Sequence, residues 1–288
     1  MSKGKQTDIT AVIMGAGQMG QAIAWSMDKL GYNIVLVDND PKRLFSTEYN
    51  FNRVTLINAD SAKEGGEHSY GFIHNADIVI SAMPYNQNMK LASYCVSHGV
   101  RYCDLGGSVP VSAQINALGK RFNATVMTDL GLAPGWVNII SENMVYAQKD
   151  RGLTPVSMSM MVGGLPKDPS NYLKYNCTWS YDGLINEYKD DCEILVNGMQ
   201  TLASGMDGLQ LVDTSLGELE AFYTSGGSSH TIRAMQKAGV QNCSYKTLRY
   251  KGHRDVVMFL IHECRLDDHE LKEVFINACP PSEDVVIV

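Results

Sequence analysis

The sequence predicts an α/β protein: a Rossmann-type, doubly wound parallel sheet followed by an α+β domain with a mixed, mostly antiparallel sheet. The apolar, β-branched run ITAVIM at residues 9–14 is typical of a strand that is buried on both faces. From there, strand and helix patterns alternate up to residue 135, as they do in parallel sheets. Beyond it the alternation stops and strand patterns recur less regularly, which indicates a second domain at residues 136–288.

A glycine-rich turn, GAGQMG, follows the first strand and leads into the helical pattern QAIAWSMDKL. In this G-x-G-x-x-G spacing, Gly15 permits a tight turn, Gly17 lets a pyrophosphate approach the backbone, and Gly20 lets helix and strand pack closely. The unpaired N–H groups at the start of the helix are available to phosphates. Residues 1–135 are therefore predicted to bind a nicotinamide dinucleotide through the turn, that is, through Gly15, Ala16, Gly17, Gln18, Met19 and Gly20.

The second buried strand, NIVLVD, ends at Asp38, about 20 residues after the glycines. An acidic side chain at this position binds the ribose hydroxyls and repels a 2′-phosphate, so the sequence favours NAD over NADP. Asn39 follows Asp38 and is included among the predicted cofactor contacts. Lys42 and Arg43 lie close behind, and we assign them to the exposed face of a helix that begins at Pro41.

Four more strand patterns complete the first domain: RVTLINA, ADIVISAMPY, RYCDLGG and TVMTDLGLAPG. Helical patterns, NMKLASYCVSHGV and SAQINALGKRFNA, separate the last three of these strands. Ligands of parallel sheets lie beyond the C-terminal ends of the strands. We therefore expect the nicotinamide to be bordered by the loops after the fourth and fifth strands, with these residues: Ala82, Met83, Pro84, Tyr85, Asp104 and Gly106.

The second domain begins with a helical pattern, GWVNIISENMVYAQ. Its strand patterns are VSMSMMVGG, YLKYNCTW, CEILVNG, LQLVDT, LEAFYTSGG and NCSYKTLRY, with DVVIV near the end. Helical patterns lie between and after them: YDGLINEYKD, TIRAMQKAG, RDVVMFLIHECRL and HELKEVFINACP. This mixture predicts a substrate-binding domain, with the substrate expected in a cleft between the two domains.

A cluster of cations stands in the stretch YKTLRYKGH. In a strand, Arg249 shares a face with Tyr245, while Lys246 shares the other face with Leu248. Lys246 has apolar neighbours, so it needs a partner or a substrate anion. Arg249 is predicted to hold a substrate carboxylate in bidentate fashion. The predicted substrate contacts are Arg249, Lys246, Asp182 in TWSYDG, and Tyr223 in EAFYTSGG.

The composition excludes several classes of partner. The chain has 288 residues and a net charge of −7 without a basic block, which argues against nucleic acid as a partner. No apolar run approaches the roughly 20 residues that span a bilayer, so no membrane association is expected. The seven cysteines are scattered without C-x-x-C spacing, which predicts reduced thiols in a cytoplasmic protein and no metal site.

The motifs GAGQMG, DLGLAPGWVN, TWSYDGLINEY, LEAFYTSGG and YKTLRYKGH occur here in the order found in the saccharopine dehydrogenase-like family. The chain most resembles the L-lysine 6-dehydrogenase branch of that family. The resemblance implies NAD-dependent oxidation of the ε-carbon of L-lysine to an imine, which is hydrolysed to an aldehyde. Asp182 stands near the position where saccharopine-reducing relatives carry an arginine, and an acid there suits a substrate that presents an ammonium group.

Alternative functions within and beyond the family remain open at this point. Saccharopine reductases and carboxynorspermidine-forming dehydrogenases, which are NADP-linked, are also similar to this chain, so the substrate is an amino acid or a polyamine-like molecule. Relatives generally continue for several tens of residues beyond the position of Val288, which motivates a third reading as an inactive NAD-binding sensor or an incomplete subunit. A homodimer is expected.

The chemistry of such a reaction sets the catalytic candidates. A hydride leaves only from an unprotonated amine, so a base has to accept a proton from the substrate ammonium. Asp104 and His253 are the candidates for that base, and histidine has an unperturbed pKa of about 6.5. Tyr85 is predicted to border the reacting amine. No metal is needed, since hydride transfer depends on orientation and electrostatics around the cofactor.

Overall fold

The computed structural model describes residues 8–45, 49–60 and 70–288. The chain divides into two compact units, unit 1 (Met1–Gly131) and unit 2 (Leu132–Val288). The boundary predicted from the sequence, at residue 135, lies in the same loop region.

Unit 1 contains a six-stranded parallel sheet whose spatial order is β3-β2-β1-β4-β5-β6. Its strands are β1 (Thr10–Met14), β2 (Asn33–Asp38), β3 (Val54–Asn58), β4 (Ile78–Ser81), β5 (Arg101–Asp104) and β6 (Val126–Met127). Its α-helices are α1 (Gln18–Leu30), α2 (Pro41–Phe45), α3 (Asn88–Ser97) and α4 (Val109–Phe122). The order reverses direction beside β1, which makes this the predicted doubly wound Rossmann-type sheet and confirms the fold class.

Strand β1 is buried on both faces, as its continuous apolar pattern predicts. Val12 and Met14 pack into one core cluster with Leu91, while Ala11 and Ile13 pack into a second cluster on the opposite face of the sheet. Helices therefore cover both faces of the sheet at β1. This rigid centre holds the turn between β1 and α1 in place.

Unit 2 contains a mixed sheet with the order β10-β11-β12-β7-β13, and a β8–β9 hairpin joins it at β12. The strands are β7 (Ser157–Pro166), β8 (Cys192–Val196), β9 (Met199–Ala203), β10 (Gln210–Thr214), β11 (Gly217–Tyr223), β12 (Asn242–Tyr250) and β13 (Asp284–Ile287). Only the β12–β7 pair is parallel, and all the other strand pairs of unit 2 are antiparallel. The predicted α+β architecture is therefore confirmed.

Five α-helices accompany this sheet: α5 (Trp136–Asp150), α6 (Tyr181–Lys189), α7 (Thr231–Lys237), α8 (His253–Met258) and α9 (Asp268–Ala278). Helix α8 continues directly into a π-helical turn, Phe259–Glu263, where the sequence pattern predicted one uninterrupted helix. At α9, Asp267 and Glu270 form a reciprocal capping box. Within the described parts of the chain, no helix combines the length and apolar character needed to cross a membrane.

In unit 2 one predicted strand is absent and one observed strand was not predicted. The stretch YLKYNCTW is a loop, because the Asn171 side chain accepts a hydrogen bond from the Tyr175 N–H and donates one to the Tyr175 carbonyl. The two-residue spacing of the buried residues Leu173, Tyr175 and Cys177 resembles the period of a strand. Conversely, strand β9 was missed, although the turn pair Asn197–Gly198 in the sequence is a hairpin signal, and both residues have positive φ.

Candidate functional site

The glycine-rich turn of unit 1 has the geometry that its spacing predicts. Gly15 has φ +101°, and a Cβ added there would lie 2.9 Å from the Ala82 carbonyl oxygen. A Cβ on Gly20 would lie 1.7 Å from the Gly15 carbonyl oxygen. A Cβ on Gly17 would have no neighbour within 4 Å among the described residues. The backbone is therefore packed tightly at Gly15 and Gly20 and open at Gly17, which fits the approach of a pyrophosphate.

The N-terminus of α1 begins beside this opening. Gly17 is the N-cap residue and supplies no side-chain cap, so the N–H groups of Gln18 and Met19 point out of the helix end without a capping partner. The Met19 side chain is exposed. The first turn of a long helix with uncapped N–H groups suits an anion. Ala16 differs from the prediction, because its N–H donates to the Asp38 side chain and is not available to a phosphate.

The Asp38 carboxylate anchors the glycine-rich turn. Its Oδ2 accepts the Ala16 N–H at 2.7 Å and its Oδ1 accepts the Asp40 N–H at 2.8 Å. The Asp38 side chain is 5% exposed, and the Arg43 guanidinium, whose side chain is 61% exposed, lies 4.0 Å away. Asn39 is exposed at the same end of β2. Both Asp38 oxygens therefore already accept backbone N–H groups, where the sequence predicted contacts with the ribose hydroxyls.

The loop after β4 contains Ala82, Met83 and Pro84 and leads into a short 3₁₀ turn, Tyr85–Gln87. The Ala82 N–H bonds the Met14 carbonyl, which ties this loop to the end of β1. A Cβ added to Gly107, in the loop after β5, would lie 3.4 Å from the Cβ of Tyr85. The structure therefore brings the loops after β4 and β5 together at the C-terminal edge of the sheet, as predicted for a parallel sheet.

Asp104 organises two loops and does not fit the predicted role of proton acceptor. Its carboxylate accepts hydrogen bonds from the Tyr102 hydroxyl at 2.9 Å, the Gly106 N–H at 2.8 Å and the Asp129 N–H at 3.2 Å. Burial raises the pKa of Asp104, and these hydrogen bonds oppose the rise. Because both oxygens are engaged inside the protein, the carboxylate holds the exits of β5 and β6 together.

Arg249 lies in the interior of unit 2 with part of its hydrogen-bonding capacity unused. Its Nε–H donates to the Tyr188 hydroxyl at 3.0 Å, and Nη1 donates to the Leu248 carbonyl at 3.0 Å. Its guanidinium carbon lies 4.4 Å from the centre of the Tyr175 ring. Nη2 makes no hydrogen bond, and in the described residues no fully buried side-chain nitrogen or oxygen lacks a partner. Nη2 therefore retains some contact with solvent.

His253 is a structural residue, which corrects its assignment as a catalytic base. The side chain is 0% exposed. Nδ1 lies 2.7 Å from the Leu173 carbonyl and must donate to it, so Nε2 of the neutral ring accepts from the Tyr188 hydroxyl at 2.9 Å. Burial and the charge of Arg249 lower the pKa of His253 to about 3. The neutral ring fixes the hydroxyl that in turn fixes Arg249.

Lys246 and Tyr223 lie on the opposite face of β12 from Arg249. Lys246 pairs with Tyr223 across the β11–β12 ladder, and its ammonium lies 5.0 Å from the centre of the Tyr223 ring. The Lys246 ammonium donates to the Gly208 carbonyl and to Gln210 Oε1, both at 2.6 Å. Burial lowers the pKa of Lys246. Lys246 thus has protein partners for its ammonium, and these neutral oxygens take the place of the substrate anion that the sequence offered as the alternative.

Asp182 also departs from its predicted role. Its side chain is 61% exposed and forms an ion pair with Lys272 of α9 at 2.8 Å. Its place in the first turn of α6 puts it on the surface, away from the buried side of that helix, which carries Leu184, Ile185 and Tyr188. Asp182 thus has Lys272 as its cationic partner, in place of the substrate ammonium that was predicted.

Three residues of the Arg249 surroundings were not singled out from the sequence: Tyr175, Glu187 and Tyr188. Glu187 is half-buried, and burial raises the pKa of its carboxyl to about 7, with the charge of Arg249 opposing the rise. A signal was present in the helical pattern of α6, since Leu184 and Glu187 are three residues apart and share a helix face. Glutamate on the core side of a helix requires an explanation.

Comparison with known families covers almost the whole chain. A family profile described as "Saccharopine dehydrogenase NADP binding domain" matches residues 11–128. A second profile, described as "Saccharopine dehydrogenase C-terminal domain", matches residues 131–279. The division between the two matches coincides with the division between unit 1 and unit 2.

Individual relatives are distant in sequence. The chain is 26% identical over 216 residues to the mitochondrial alpha-aminoadipic semialdehyde synthase of Mus musculus. The matched region covers 72% of this chain and 23% of that protein. It is 22% identical over 199 residues to the saccharopine dehydrogenase [NADP(+), L-glutamate-forming] of Pyricularia oryzae. That match covers 67% of this chain and 44% of the relative. The chain thus spans less than half the length of these relatives.

A solved structure shares the fold. The apo saccharopine dehydrogenase (L-Glu forming) of Saccharomyces cerevisiae superposes with a TM-score of 0.67 at 16% sequence identity. The superposition covers 88% of this chain and 57% of that one. At this level of identity the likeness bears on the fold alone.

Proposed function

This chain belongs to the saccharopine dehydrogenase family, and from that premise we propose that it oxidises L-lysine at the ε-carbon with a nicotinamide cofactor. The step removes a hydride from the carbon and a proton from its nitrogen, so that an imine forms. Water then converts the imine to an aldehyde and releases ammonia. When bound, the nicotinamide accepts the hydride.

Arg249 is the observation that carries this proposal. Its free Nη2 and the remaining N–H of Nη1 are matched to a carboxylate, and stacking on Tyr175 keeps the guanidinium plane fixed. The other buried cation of unit 2, Lys246, is satisfied by neutral oxygens on the other face of β12. One available buried cation suits a substrate with one carboxylate, as L-lysine has, better than saccharopine, which has three.

The residues of unit 1 fit the cofactor. The open backbone at Gly17 and the uncapped N–H groups of Gln18 and Met19 would hold the pyrophosphate. The loop residues that would border the nicotinamide ring follow β4 and β5: Ala82, Met83, Pro84, Tyr85 and Gly106. Asp104 would act indirectly, since its carboxylate fixes the Gly106 N–H at 2.8 Å.

We further propose NADP as the preferred cofactor, in place of the NAD that the sequence favoured. Asp38 has both oxygens engaged by backbone N–H groups and is almost inaccessible. Arg43 presents an exposed guanidinium at the same end of β2, next to exposed Asn39. A guanidinium binds a phosphate through paired hydrogen bonds. The description of the family profile that matches unit 1 also supports this choice.

Arg43→Ala is expected to weaken NADPH binding about tenfold and to leave NADH binding within about twofold, because only NADPH carries the phosphate that Arg43 contacts. Titration of each reduced cofactor, followed by nicotinamide fluorescence, measures both constants. Lys42→Ala, which removes an exposed charge one residue away, is the matched control. Equal losses for the two cofactors would contradict the assignment of Arg43.

The reaction itself is tested by the absorbance of reduced nicotinamide when the protein is mixed with L-lysine and either NADP or NAD at alkaline pH. We expect reduction with L-lysine, at a higher kcat/KM with NADP than with NAD. Alkaline pH favours the unprotonated amine from which hydride leaves. No reduction of either cofactor with L-lysine, by protein that binds NADPH, would rule out the proposed reaction.

Saccharopine is the second candidate substrate, and the names of the similar proteins favour it. The same assay with saccharopine and NADP separates the two candidates. Reduction with saccharopine alone would move the chain to a saccharopine dehydrogenase. Cofactor binding without turnover of either amino acid would instead favour a binding protein or a subunit that needs a partner.

A further inference from the structure

The indole of Trp179 contacts both helix α6 and Tyr175, the residue whose ring stacks on Arg249. Its Nε1–H donates to the Tyr175 hydroxyl at 2.9 Å. A Cβ added to Gly183, in the first turn of α6, would lie 2.6 Å from Trp179 Cζ3. Because Gly183 has no side chain, the indole ring can lie directly against the helix while its N–H reaches the phenol.

Tyr175 is held at both of its ends. The Tyr175 N–H donates to the Asn171 side-chain oxygen at 3.2 Å, and the Asn171 amide donates to the Tyr175 carbonyl at 2.8 Å. The hydroxyl at the far end of the side chain accepts the Trp179 N–H. A tyrosine side chain has only two rotatable bonds. With the backbone and the hydroxyl both fixed, the plane of the ring has little freedom to rotate.

The orientation of the Tyr175 ring affects the Arg249 guanidinium. The guanidinium carbon lies 4.4 Å from the ring centre, and Arg249 is 3% exposed. A cation–π contact shielded from water in this way contributes about 2 kcal/mol. Bidentate binding of a carboxylate requires the guanidinium plane to be aligned with it. A rotation of the Tyr175 ring would therefore misalign the donors of Arg249.

We propose that Trp179 is a positioning residue for the substrate carboxylate, because its indole N–H holds Tyr175 in the plane that orients Arg249. Trp179 acts through these two residues and not by binding the substrate itself. This inference rests on the proposed function and extends the carboxylate site by one residue beyond Tyr175. Loss of the indole N–H should raise KM for L-lysine, while kcat should remain close to the wild-type value.

Two single variants remove the same hydrogen bond from opposite sides. Trp179→Phe keeps an aromatic ring but has no N–H, and Tyr175→Phe keeps the ring over Arg249 but has no hydroxyl. Steady-state rates at varied L-lysine concentration and saturating NADP give KM and kcat. We expect each variant to raise KM about fivefold, the equivalent of one hydrogen bond, and to leave kcat within about twofold. Because both changes act on one contact, the double variant should match the single variants.

An Arg249→Lys background distinguishes positioning from a purely structural role. That protein has no planar guanidinium to orient, so adding Trp179→Phe should change kcat/KM for L-lysine by less than about twofold. If Trp179 only stabilised unit 2, its substitution would lower the melting temperature in both backgrounds and leave KM unchanged. Trp136→Phe, the same substitution at an exposed tryptophan of α5, is the control and should match wild type.

The possible results separate this inference from the proposed function. A folded Trp179→Phe protein with wild-type KM would overturn the role of Trp179, as would a fivefold loss that persists beside Arg249→Lys. Should Trp179→Phe fail to fold, Tyr175→Phe decides, and a wild-type KM in that variant would contradict the inference. Wild-type protein that does not turn over L-lysine would refute the proposed function, and this inference with it.

Discussion

Replacing Arg249 with lysine is expected to lower kcat/KM for L-lysine at least about 100-fold, mainly through KM, with NADPH affinity unchanged. Lysine keeps the positive charge but offers a compact ammonium in place of a planar pair of donors. It also loses the stacking on Tyr175 and the hydrogen bond to the Tyr188 hydroxyl at 3.0 Å. Steady-state rates at varied L-lysine concentration give KM for L-lysine, and an NADPH titration gives the dissociation constant of the cofactor.

Two companion variants sharpen this test. Lys246→Gln removes the buried charge on the other face of β12 and should leave KM for L-lysine close to the wild-type value, provided the protein remains folded. Lys251→Ala removes an exposed charge at the end of the same strand and serves as the surface control. A folded Arg249→Lys protein with wild-type KM would show that the substrate carboxylate is bound elsewhere.

Substitutions in the glycine-rich turn are expected to have the second large effect. Gly20→Ala is expected to destabilise unit 1 by roughly 3 kcal/mol and to abolish NADPH binding, because its Cβ would lie 1.7 Å from the Gly15 carbonyl oxygen. Gly17→Ala should leave the melting temperature of the cofactor-free protein nearly unchanged and still weaken NADPH binding about tenfold or more. Thermal unfolding with and without NADPH measures both effects.

Comparing the Gly20 and Gly17 variants separates an effect on folding from an effect on cofactor binding. Gly17 has an ordinary φ of −69° and no described neighbour within 4 Å of an added Cβ, so only a ligand can meet the new methyl group. Gly71→Ala, where an added Cβ also meets no described neighbour within 4 Å, is the control for a harmless substitution. A Gly17→Ala protein with wild-type NADPH affinity would mean that the pyrophosphate does not approach this turn.

The fold of unit 1 could be predicted from the sequence because the sequence patterns that indicate it are local. The apolar run of β1, the glycine spacing and the helix that follows lie within about 25 consecutive residues, and each has a physical reason independent of the rest of the chain. The orientation of Asp38 could not be read in this way. Whether its carboxylate points to a ribose or to the Ala16 N–H depends on the turn that closes around it.

The side-chain contacts of unit 2 were harder to predict because they involve residues that are distant in the sequence. The alternation in β12 correctly separated Lys246 from Arg249, but only the neighbouring strands and loops reveal that Lys246 is satisfied by Gly208 and Gln210. His253 owes its protonation state to the Leu173 carbonyl, 80 positions away in the chain. No local pattern contains that contact.

Helix α6 illustrates the same limit for its acidic residues. The sequence singled out Asp182, whereas the carboxyl whose pKa responds to the charge of Arg249 belongs to Glu187, five residues later. Five residues correspond to about 140° around an α-helix, so the two acids face in different directions. Helical periodicity separates the two faces, and the core side becomes known only once α6 is packed against its neighbours.

The parallel pairing of β7 with β12 has a consequence for synthesis of the chain. It joins Ser157 to Asn242, whereas the β1–β2 pairing of unit 1 joins Thr10 to Asn33. Closing the longer loop costs about 1.2 kcal/mol more in chain entropy. At about 5–20 residues per second, a ribosome takes roughly 4–17 s to make the intervening segment. During that time the apolar residues of β7 have no partner strand at β12, so a nascent unit 2 is expected to depend on chaperones more than unit 1 does.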